Sequence, residues 1–208
     1  MSQPATTQGE ARHRRPAATA GVEGNERLTA MTGALLLLGF AVEGITVLQV
    51  RRLLFMHVLV GGLLIGPVLL KMASTMYRFV RYYTRSVPYV RKGPPSPVLR
   101  VLGPLVILTS VAVLGTGIIL GIVGPGNGSW LFLHKATFVL WFGAMTIHVL
   151  NYAPRLPRIL WSRPADGGTV GAPGGSVRWL GLVLSLAVGI VIAALAVQLS
   201  TKWGVSSL

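Results

Sequence analysis

The chain has 208 residues, 52% hydrophobic and only 12% charged, with a mean hydropathy of +0.65, a balance that excludes a soluble globular domain and describes a polytopic membrane protein. Nineteen Lys and Arg against five Asp and Glu give a net charge of +14, but the basic residues lie between apolar runs, so membrane topology accounts for them and nucleic-acid binding does not. The absence of cysteine excludes disulfides, thiolate-held iron–sulfur clusters and covalently attached c-type haem.

Residues 1–27 carry Arg12, Arg14 and Arg15 with no apolar run close behind, and read as a disordered basic cytoplasmic tail, not a cleaved signal. Five apolar segments follow, at 28–50, 53–76, 102–123, 130–150 and 179–199. Each is about 20 residues, the length of a helical span. The first two are joined by Arg51-Arg52 alone, which predicts a tight antiparallel hairpin. Tyr77, Arg78, Arg81, Tyr82, Tyr83 and Arg85 continue the second helix into an interfacial belt. A Gly-Pro-Gly-Asn-Gly-Ser turn at 124–129 joins the third and fourth spans. Residues 153–178, rich in Gly and Pro, form a loop before the last unit at 179–208. With the N-terminus inside, fourteen of the nineteen basic residues fall on the cytoplasmic side, four on the outer side, and Lys71 within a span. That asymmetry predicts an N-in, C-out protein of the cell's inner membrane.

Histidines carry the chemistry. His134 and His148 lie fourteen residues apart in the fourth span. Fourteen helical residues rise about 21 Å and return to within ~40° of the same face. His57 lies four residues past the start of the second span, and His134 four past the start of the fourth. Both spans run from outside to inside, so these two imidazoles belong at one level near the outer surface. Intramembrane histidines mark functional sites, and facing neutral imidazoles suit b-type haem. Gly61 shares the His57 face and leaves room for a flat ring, with Gly62 and Gly66 giving a small-residue pattern beside it. Phe138, Trp141 and Met145 lie between His134 and His148 and read as helix packing. Glu43 is the one acid within the spans. It accepts a proton, orients a ligand imidazole or stays protonated in an interhelical hydrogen bond.

This pattern resembles the membrane cytochrome b subunits of bacterial respiratory oxidoreductases such as formate dehydrogenases and nickel–iron hydrogenases. The resemblance covers residues 28–152. It implies an all-α integral membrane protein whose first four helices form an antiparallel haem-binding bundle, with His57 and His134 holding an outer haem. The family also places a histidine on its first helix to complete an inner haem, and residues 28–50 contain none. Lys71 instead lies fourteen residues after His57, at the depth of His148. Lys71 and His148 then flank a second haem, with Met31 as another ligand at that depth, or bind a quinone or anionic reductant, or are structural, with Lys71 snorkelling to the surface.

The expected function is electron transfer between a membrane quinone or similar carrier and a partner redox subunit, with one haem b, a second left open, and lipid around the bundle. A homo-oligomer fits equally well. The sequence carries no nucleotide or flavin fingerprint, so catalysis falls to another subunit. The alternatives are a stand-alone transmembrane reductase of a small substrate and a non-redox scaffold or transporter.

Overall fold

A computed structural model describes residues 17–91, 93, 97–155, 157 and 175–200. Most of the expected N-terminal tail, the centre of the Gly/Pro-rich loop and the segment after 200 lie outside the described residues. Every regular element among the described residues is helical: α1 (Ala17–Leu48), α2 (Val50–Tyr83), α3 (Val87–Arg91), α4 (Pro97–Val123), α5 (Gly128–Tyr152), a 3₁₀ turn (Ala153–Arg155) and α6 (Gly175–Ser200). All but α3 and the 3₁₀ turn are long and apolar enough to cross a bilayer, so the chain is a multi-pass membrane protein with five spanning helices.

Three boundaries differ from the sequence reading. Helix α1 starts at Ala17, inside the segment read as a tail. Its first turns are held to α2, where Asn25 Nδ2 donates to the Ser74 carbonyl at 3.1 Å. Arg51 and Arg52 are not a connecting loop. They lie in the first turn of α2, where the Arg52 and Leu53 amides donate to the Gln49 carbonyl, and the helix kinks at Leu53 (φ −113°, ψ 24°). Those bonds satisfy backbone groups that a bare two-residue link would leave unpaired. The basic stretch after α2 contains the short helix α3, whose buried Tyr89 packs edge-on to Tyr77. The 124–129 turn forms as expected: Gly124 adopts φ +86°, and the Asn127 side chain caps α5 by accepting from the Trp130 amide.

Packing divides the spans into two groups. Helix α2 lies against α1 and, more extensively, α6, whereas α4 lies chiefly against α5. The α2–α6 contact is a small-residue seam. A Cβ at Gly62 would come within 2.7 Å of the Ala193 Cα, one at Gly66 would strike the Ser185 carbonyl, and one at Gly189 the Leu63 carbonyl. Dispersion between close backbones drives such association in lipid, where apolar burial alone does not. The fifth span, whose placement the sequence left open, therefore belongs to the helix assembly. Pro67 breaks the α2 hydrogen-bond ladder yet is fully buried beside this seam. Buried Leu36, Leu64 and Val68 join α1 to α2, and Leu114 of α4 reaches the same cluster.

The seam makes a direct prediction. Gly66→Ala should destabilise the protein by roughly 1–3 kcal/mol through overpacking, measured as thermal unfolding in detergent. Gly115→Ala, where the added methyl meets open space, should leave stability unchanged or raise it slightly.

Candidate functional site

Helices α1, α2, α4 and α5 bring Glu43, Thr46, His57, Thr116 and His134 to one level. Glu43 on α1 meets His57 on α2, with Oε1 2.7 Å from Nδ1. Thr46, one turn along α1, lies 3.0 Å from Glu43 Oε2 and 3.4 Å from His57 Nδ1. Both partners are largely shielded, with side chains 24% and 15% exposed. When His57 donates its Nδ1–H to the carboxylate, Nε2 keeps the free lone pair. Gly61 sits against this pair, where a Cβ would lie 3.4 Å from Glu43 Oε1.

His134 reaches the same level from α5. Its Nδ1 is 3.2 Å from Thr116 Oγ1 on α4, and Thr116 in turn meets Thr137 at 3.0 Å. Gly117 clears the ring: a Cβ there would lie 3.0 Å from His134 Cε1. The His57 and His134 ring centroids are 6.3 Å apart, with planes at 65°. Two metal–imidazole bonds of ~2 Å each, plus half a ring on either side, span roughly 6 Å. Nδ1 of each ring lies within hydrogen-bond distance of a partner on its own side of the site, Glu43 for His57 and Thr116 for His134, so Nε2 of either ring could serve as a ligand atom. At this separation the two imidazoles could hold one iron between them. Among the described residues, no group of three or more His, Cys, Asp or Glu is placed to hold a bare metal ion.

Trp141 occupies the middle of the assembly. Its indole N–H donates to Ser110 Oγ at 3.0 Å, and its ring meets Phe40 edge-on at 4.9 Å and Phe138 at 6.2 Å. It thus ties α5 to both α4 and α1.

The level of Lys71 and His148 is different. Lys71 Nζ donates to the Thr29 carbonyl at 2.5 Å and lies over Gly33 of α1, so the side chain is turned toward a neighbouring helix. His148 stacks against Tyr152 at 4.8 Å, and its Nδ1 is buried without a hydrogen-bond partner among the described residues. The residues picked out from the sequence thus gather at two levels: Glu43, His57, Gly61 and His134 at one, Lys71 and His148 at the other.

Thr46, Thr116 and Gly117 were missed by the sequence reading. Thr46 follows Glu43 by three residues, a spacing that shares a helix face. Residues 116–117 lie across the 124–129 hairpin from His134, so the turn itself carried that signal. No family model, curated protein or solved structure matches the chain.

Trp141→Phe keeps the ring but loses the bond to Ser110, and should cost about 0.6 kcal/mol. Trp141→Ala should cost roughly 3–5 kcal/mol. Both are read from unfolding in mixed micelles, and equal effects would exclude the ring contact as the larger contribution.

Proposed function

We propose that the chain is a membrane cytochrome b in which His57 and His134 hold one b-type haem near the outer edge of the bilayer. The supporting observation is the pair itself: two imidazoles from different helices, 6.3 Å apart, each with Nδ1 already hydrogen-bonded. Haem held in this way supplies one-electron exchange between ferric and ferrous iron. The protein's own residues set the conditions. Glu43 orients the His57 ring, fixes its tautomer and raises its basicity as a ligand. Thr116 does the corresponding work for His134, with a neutral hydroxyl in place of a carboxylate. Gly61 and Gly117 keep side chains away from the carboxylate and the ring. The two helix groups, joined by few contacts, leave the boundary on which the histidines meet as the place for a flat group.

The physiological reading follows from this site and the membrane setting. Electrons pass between a lipid-soluble quinone and a partner redox subunit of an oxidoreductase. The N-terminus is cytoplasmic by the excess of Lys and Arg on that side, which puts the His57–His134 level outside and Lys71 and His148 inside. The inner level offers one imidazole, which favours a single haem.

Reduction of purified, haem-supplied protein with dithionite should produce a b-type alpha band. His57→Ala and His134→Ala should each abolish it, whereas His148→Ala should leave the iron-to-protein ratio unchanged. Glu43→Ala should weaken haem retention by ~10–100-fold, the usual effect of losing a carboxylate behind a ligand histidine. A normally folded protein with no alpha band, or full haem content in either ligand variant, defeats the reading.

A further inference from the structure

Helix α2 has 34 residues and rises about 51 Å, whereas the hydrocarbon core is about 30 Å thick. The turns that carry Arg78 and Arg81 therefore leave the core, and the chain beyond them runs at the level of the lipid head groups. There it makes a sharp corner into α3. The Ser86 amide donates to the Arg81 carbonyl at 3.0 Å, and the Arg85 amide to the Tyr82 carbonyl at 3.1 Å. These two bonds close a Schellman motif, in which the residue just past the helix is left-handed and usually glycine. Here that residue is Arg85, with φ +58°, the one residue other than glycine with a positive φ among those described. A side chain in that conformation costs stability, and such strain gathers at binding sites.

The corner is fixed on one side and open on the other. Tyr89 of α3 is buried edge-on to Tyr77, and the Arg81 guanidinium lies 5.9 Å from its ring centroid. Val87 precedes Val90 and Arg91 by three and four residues, so these three share a face of α3, and all are exposed. With Tyr82, Tyr83 and Arg85 they line an open cavity of about 420 Å³. Two guanidinium groups and the apolar surface of Val87, Val90 and Tyr83 thus stand side by side. No carboxylate lines the cavity: Glu23 and Glu26, the acids on the α1 segment that reaches this end, are not among its walls.

We propose that this corner binds one anionic phospholipid. Arg85 and Arg91 take the phosphate, whose oxygens match the planar fork of a guanidinium. Val87, Val90 and Tyr83 take the first methylenes of the acyl chains, which a soluble acidic peptide does not bring. The left-handed Arg85 is what turns one of the two guanidinium groups toward the lipid. The site lies at the end of α2 opposite to His57 and does not depend on what His57 and His134 hold.

Native mass spectrometry of the full-length protein in detergent, with phosphatidylglycerol or phosphatidylcholine added, reads the number of bound lipids and their Kd. Wild-type protein should hold one phosphatidylglycerol roughly 25-fold more tightly than phosphatidylcholine, about fivefold from each arginine. Arg85→Gln and Arg91→Gln should each lose about fivefold, and the double variant should bind the two lipids alike. Arg51→Gln/Arg52→Gln, at the other end of α2, should keep the preference. Arg85→Gly separates binding from folding. It should raise the unfolding midpoint by about 2–4 °C, since glycine takes the left-handed conformation without steric cost, and still lose the same fivefold. No preference in the wild type, an undiminished one in the double variant, or one lost in Arg51→Gln/Arg52→Gln overturns the proposal. Displacement of phosphatidylglycerol by an equal concentration of hexaglutamate also overturns it, and assigns the corner to an acidic protein segment.

Discussion

Hydrocarbon gives a carboxylate no water, and the contact between Glu43 and His57 is the arrangement on which the candidate site depends. An unpaired acid in a span would be strongly unfavourable. At 2.7 Å from an imidazole nitrogen, with Thr46 on its other oxygen, it becomes the element that fixes the His57 ring. That contact adds to those joining α1 to α2, leaves Nε2 of His57 free when Nδ1 donates, and has Gly61 beside it, where a Cβ would lie 3.4 Å from Glu43 Oε1. His134 is fixed by a weaker version of the same device, through Thr116. The two rings differ in this respect: one is backed by a charge and the other by a hydroxyl.

The helices that carry these residues are held by two separate kinds of packing. A seam of glycine and alanine clamps α6 to α2, and the hairpin at 124–129 pairs α4 with α5. Between the groups there are few contacts. Leu114 reaches the α1–α2 cluster, Trp141 meets Phe40, and the two histidines face each other. A boundary so sparsely bridged suits insertion of a planar group, and the proposed haem would itself become a large part of the contact between the two halves.

The spans, their number and the pairing of His57 with His134 were legible in the sequence, because hydropathy fixes length and a helix converts residue spacing into depth. Three features were not legible. The glycines at 62 and 66 read as a small-residue pattern beside Gly61, and the pattern did not say which neighbour approaches; they serve the α6 seam. Lys71 reads as a side chain able to snorkel, but the Thr29 carbonyl draws it against α1. Glu43 was one of the readings for an acceptor behind a ligand imidazole, but the partner of His134, Thr116, comes from another helix, and nothing local to position 134 names it.

At the other level Lys71 is held to α1 through the Thr29 carbonyl, a neutral partner in place of a carboxylate. The His57–His134 site is where the central claim is most sharply exposed, and the low-temperature EPR spectrum of the oxidised, haem-supplied protein tests it most directly. If His57 and His134 both hold one haem iron, the oxidised protein should give a low-spin ferric signal that is lost in a variant lacking either ring. A predominantly high-spin signal in the wild-type protein, or a low-spin signal unchanged when His134 is replaced, would contradict it.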